Sequence, residues 1–99
     1  VSEKDQGAEQ PEAFDLTALE IDQILGLFIG ILSAKAWQYM GLQVAPGRKA
    51  AEKDMARAAV AIDCISYMAD KLVPLIPESE AGRLRAMITD LKINYARNA

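Results

Sequence analysis

Histidine is absent from these 99 residues, and cysteine occurs once, at Cys64. The first absence removes Ser–His and Cys–His nucleophile pairs together with the commonest metal ligand. The second excludes an intramolecular disulfide framework and a multi-cysteine zinc site, and it suits a reducing, cytoplasmic compartment. No glycine-rich phosphate loop is present. Carboxylates arranged for a di-metal centre would need Glu-x-x-His motifs, which are also missing. No catalytic residue, metal or cofactor is therefore expected. Aromatic residues are scarce at 6%. The apolar half of the chain is mostly alanine, leucine, isoleucine and methionine, a mix that favours helix over sheet.

No apolar run reaches the length of a membrane span. The longest, residues 24–32, is nine apolar or glycine residues, where a span needs roughly twenty. Extending it to Met40 brings in Ser33, Lys35 and Gln38. A lysine near a helix centre costs about 2.5–3.5 kcal/mol on insertion, enough to cancel several leucines. The chain opens acidic and polar, without a basic segment followed by an apolar one, so no signal peptide is expected.

Net charge is −3, unevenly placed. Residues 1–16 carry −4, from Glu3, Asp5, Glu9, Glu12 and Asp15 against Lys4, whereas residues 17–99 carry +1. The first sixteen residues have too little apolar surface to offset the entropy of ordering and read as a disordered acidic arm, with Phe14 expected to dock on the body. Residues 17–99 read as one helical domain, since 99 residues accommodate one small core. Its near-neutral charge argues against strong nucleic-acid binding.

Helical signals divide that domain in three. Thr17 and Glu20 have the spacing of a capping box, with Leu16 and Ile21 placed as a hydrophobic staple. Helix 1 is predicted to run from there to about Met40, where Gly41 offers a left-handed stop. Pro46 and Gly47 break the following turn. Helix 2 starts between Arg48 and Asp54 and ends near Val73. Its apolar positions Met55, Ala58, Ala59, Ile62, Ile65, Ala69 and Leu72 recur at three and four. Pro74 and Pro77 end it, and Ser79 is placed to cap helix 3, whose stripe is Leu84, Met87, Ile88, Leu91 and Tyr95. No strand alternation appears. The expected fold is all-α, a three-helix bundle whose first two helices are long.

Helix 1 is unusual in being apolar on every side. A monomer's surface helix has one apolar stripe, whereas Leu25, Leu27, Phe28, Ile29, Ile31 and Leu32 point all round the axis. Helices 2 and 3 can cover one face, and a second copy or another protein would cover the other. Gly26, Gly30 and Ala34 form a ridge of small residues that permits close approach of a helix, either helix 2 of the same chain or a partner's. The expected interface is Leu25, Gly26, Leu27, Gly30, Ile31, Ala34 and Trp37.

Outside helix 1, chemistry-bearing residues are few. Asp63 borders the apolar stripe of helix 2 and, with Tyr67 and Tyr95, could line a ligand pocket between helices. Its plainer reading is a solvated or paired acid. Cys64 reads as a buried structural thiol, because reactive cysteines need exposed, electropositive surroundings. Arg48, Lys49, Lys53 and Arg57 crowd the start of helix 2, most simply as a solvated charge run.

Three stretches resemble a known family. They are SAKAWQYMGL at the end of helix 1, DMARAAVAIDCISYMADKL in helix 2 after Pro46–Gly47, and LRAMITDLKINYA in helix 3. Together they resemble the short bacterial family called domain of unknown function 1844 (DUF1844), over roughly residues 16–96. The resemblance implies a cytoplasmic helical protein without assigned activity, and it supplies no catalytic residue. The expectation is a non-catalytic interaction protein, a homodimer or a small accessory subunit of a larger assembly. Three alternatives stand beside it. One is a small enzyme or ligand-binding protein around Asp63. Another is a peripheral membrane protein lying on helix 1, and the last an RNA- or ribosome-associated factor using the basic cluster.

Overall fold

The computed structural model describes residues 15–99, and they form three α-helices and two short 3₁₀ turns. The acidic residues 1–14, with Phe14, lie outside the described residues. Helix α1 spans Ile21–Tyr39, α2 Met55–Leu72 and α3 Glu78–Asn98. The all-α, three-helix expectation is met.

Order begins earlier, and α1 later, than Thr17 suggested. A 3₁₀ turn, Leu16–Ala18, is capped by Asp15, whose Oδ1 accepts both the Thr17 amide at 3.0 Å and the Thr17 hydroxyl at 2.6 Å. Asp15 and Leu16 are thus ordered, where a disordered arm was expected. With its hydroxyl donated to Asp15, Thr17 does not start the long helix. That role falls one turn on, where the Glu20 amide donates to Gln23 Oε1 at 2.9 Å and α1 begins at Ile21. The other end follows the sequence. Gly41 takes φ +80°, its amide reaches Gln38 O, and the Leu42 amide reaches Trp37 O at 3.1 Å. That is the paired-bond left-handed stop that glycine permits.

The chain returns through residues 41–53, and the Asp54 amide donates to Tyr39 O at 2.7 Å, tying the start of α2 to the end of α1. Asp54 caps α2 by accepting the Arg57 amide at 3.1 Å. After Leu72, Pro74 tightens the chain into the 3₁₀ turn Val73–Leu75. Pro77, extended at ψ 150°, then becomes the N-cap of α3. Ser79 sits inside the first turn and not at the cap, because the proline's fixed φ already sets the helix entry.

The core is an antiparallel α1–α2 hairpin with α3 laid mainly on α2. Ile29, Ser33, Ala36 and Met40 form the inward stripe of α1, and Ala58, Ala61, Ile62, Ile65, Ala69 and Leu72 that of α2. Four alanines in those stripes let the two axes approach closely. Leu91 is the fully buried anchor of α3. Contact between α1 and α3 is sparse and includes the Ser33 hydroxyl, which donates to Ile29 O at 2.8 Å and lies 3.4 Å from Met87 Sδ.

Candidate interaction surface

Once Ile29, Ser33, Ala36 and Met40 face inward, helical geometry turns Leu27 and Ile31 directly away from the core. The structure leaves Leu27 39%, Phe28 42%, Ile31 53% and Ile21 60% exposed. Ile24, half-buried, and Ala34, exposed, continue the same outer row. To one side of this row a groove lies between α1 and α2. Leu32 and Ala61 line this groove with Val60 and Cys64, and Lys35 and Arg57 edge it. The Lys35 ammonium sits 4.9 Å from the centroid of the Tyr39 ring and donates to Gln38 Oε1 at 2.9 Å, so the C-terminal end of the apolar row is polar.

The residues singled out from the sequence divide into two groups. Gly26, Leu27, Gly30, Ile31 and Ala34 are exposed. Leu25 and Trp37 are half-buried and pack against the protein's own core. A Cβ placed on Gly26 or Gly30 would meet nothing within 4 Å, so the small ridge does not pack on α2 of the same chain. It borders an open groove whose far wall includes Leu84 and Met87 of α3. Exposed Ile21, Phe28 and Val60 and half-buried Ile24 add apolar surface beyond the interface expected from the sequence. For Ile24 the sequence carries a signal, the recurrence of 24, 27, 31 and 34 at alternating three and four.

Asp63 and Tyr95 do come together, with Ala59, Ile62 and Lys92, around a shallow depression between α2 and α3. Tyr67 does not join them. It is 66% exposed one turn further along α2, with the Lys71 ammonium 5.4 Å from its ring centroid. Cys64 is exposed, correcting the expectation of a buried thiol. It lies one residue off the buried Ile65 and is turned toward the α1–α2 groove. In the basic cluster, Arg48 pairs with Glu52 at 2.6 Å and Arg57 with Asp54 at 2.7 Å, so two of its four cations face acids.

Electrostatic perturbation falls on the caps. The Arg57 guanidinium and then the Arg57 amide hold the Asp54 carboxyl below the ordinary carboxylate value, and Thr17 does the same for Asp15 through its hydroxyl and amide. The same ion pair raises Arg57. Among the described residues, no group of three or more acids or cysteines is placed to hold a metal ion, and no helix is long and apolar enough to cross a membrane.

The pattern of the family described as domain of unknown function (DUF1844) matches residues 24–97. The chain belongs to the DUF1844 family. The matched span takes in nearly all of α1, the returning loop, α2 and α3, so the outer row of α1 from Ile24 onward lies within the family's own extent. No curated protein and no solved structure matches the chain.

Proposed function

We propose that this DUF1844 protein is a non-catalytic helical interaction protein that works as a homodimer through the outward face of α1. The observation that carries the reading is the exposed row of Leu27, Phe28 and Ile31 on a helix whose opposite face already fills the core. Large aliphatic and aromatic side chains grouped on one face of a helix are apolar surface that association removes from water. A small domain with a thin core gains stability from the same event. The exposed, lone Cys64 is in keeping with a reducing, cytoplasmic setting.

Light scattering on the untagged protein across a dilution series tests the proposal. The expected mass is twice the 10.8 kDa of the chain. The Ile31→Asp variant is expected at the monomer mass with its helical circular dichroism intact, since Ile31 contributes nothing to the internal core. A monomeric wild-type protein at all concentrations overturns the homodimer, and the same face is then assigned to a different protein in a larger assembly.

A further inference from the structure

We infer that α1 meets α1 of a second copy in antiparallel orientation, about a two-fold axis level with Ile29. This rests on the homodimer reading above and specifies its geometry. The outward row of α1 is Ile24, Leu27, Ile31, Ala34 and Gln38, and the N-cap Glu20 precedes it, the whole spaced four, three, four, three, four. That is the spacing with which two helices interlock along a shared seam.

Orientation follows from the order of residues in the row. With the helices parallel, each residue faces its own copy: Ile24 meets Ile24, the small Ala34 meets Ala34, and Glu20 meets Glu20. Two methyl groups then leave a gap at one layer, and two carboxylates repel at the end. With the helices antiparallel about Ile29, Ile24 fills the space left by Ala34 and Leu27 meets Ile31. Glu20 reaches the polar end of the partner helix, where Lys35 and Gln38 are already hydrogen-bonded to one another. Only this orientation sets Ile24 against the small Ala34 and brings Glu20 near Lys35. A two-fold interface requires that self-complementarity. Beside the seam, Gly30 lies near Gly30 of the second copy, and the empty space around it in the monomer permits the axes to close.

Leu27 and Ile31 on the row and Phe28 beside it are 39%, 53% and 42% exposed, and pairing removes that apolar surface from water.

Disulfide trapping in a Cys64→Ser background tests the orientation. Antiparallel pairing places position 24 opposite position 34, whereas the two copies of position 24 are about 15 Å apart along the axis. A disulfide requires Cα atoms within about 7 Å. Mixing the Ile24→Cys and Ala34→Cys proteins under mild oxidation is expected to give a mixed dimer on a non-reducing gel, with neither variant dimerising covalently alone. As a second measure, Glu20→Lys and Lys35→Glu are each expected to weaken the dimer about threefold, and the double variant to restore it. A disulfide in either single variant overturns the antiparallel orientation. A dimer by mass that yields no disulfide in any combination overturns the α1–α1 contact and leaves self-association standing. A wild-type monomer overturns both readings.

Discussion

At the scale of the single residue, the glycines separate two uses of a missing side chain. Gly41 is glycine because its backbone is left-handed, and an added Cβ would also come 3.4 Å from Lys53 Cβ. Gly26 is in ordinary helix with nothing near it. Gly41→Ala is therefore expected to lower unfolding stability by about 1 kcal/mol, and Gly26→Ala to raise it by about 0.5–1 kcal/mol. Urea titrations of the two variants check both signs. Should Gly26→Ala destabilise the protein while leaving its oligomeric mass unchanged, the open groove beside it is filled in solution. Gly41 could be read as a stop from its place after Tyr39 and Met40. The openness around Gly26 could not, because it depends on where α3 lies.

At the scale of the element, side chains competing for the same groups decide where each helix begins. Asp54 is the acid on which the start of α2 rests, and Arg57 holds its carboxyl low. A carboxyl depressed in the folded state contributes stability above its unfolded value, near 3.9, and loses it as pH falls through the lower folded value. Denaturant midpoints compared at pH 7 and pH 3 are expected to fall in acid. The fall should be smaller for Asp54→Asn, which keeps a capping oxygen and removes the titration. Equal acid sensitivity in the two proteins would place the titrating group elsewhere. The α2 stripe and its approximate ends were readable, since a single apolar face at three-and-four spacing has one inward orientation. The start of α1 was not, because Asp15 and Glu20 both compete with Thr17 for the capping role, and spacing alone does not rank them. Cys64 is exposed where burial was expected for a related reason: one residue of rotation, about 100° around the axis, separates it from the buried Ile65.

At the scale of the molecule, the outer face of α1 illustrates what a sequence leaves open. Residues 24–32 are apolar all round, so hydrophobicity gives no inward direction. That direction is set by the alanine-rich stripe of α2, which accepts Ile29, Ser33 and Ala36 and turns Leu27 and Ile31 outward. The candidate residues Leu27, Gly30, Ile31 and Ala34 were thus readable as members of an unusual helix. Their separation from Leu25 and Trp37 required the fold.

Helix α3 leans on α2 and only lightly on α1, where Ser33 and Met87 meet. It is also joined to the hairpin through a short stretch bracketed by Pro74 and Pro77, which fixes its entry but adds little burial. Such an element opens as a unit before the rest, since few contacts need to break together. In deuterated water the amides of α3 are expected to exchange as a group ahead of those at the centres of α1 and α2. If α3 and the hairpin exchanged at one common rate, the molecule would be opening as a whole. On that expectation the protein has two layers of endurance: a hairpin that persists, and a third helix that leaves and returns without dismantling it.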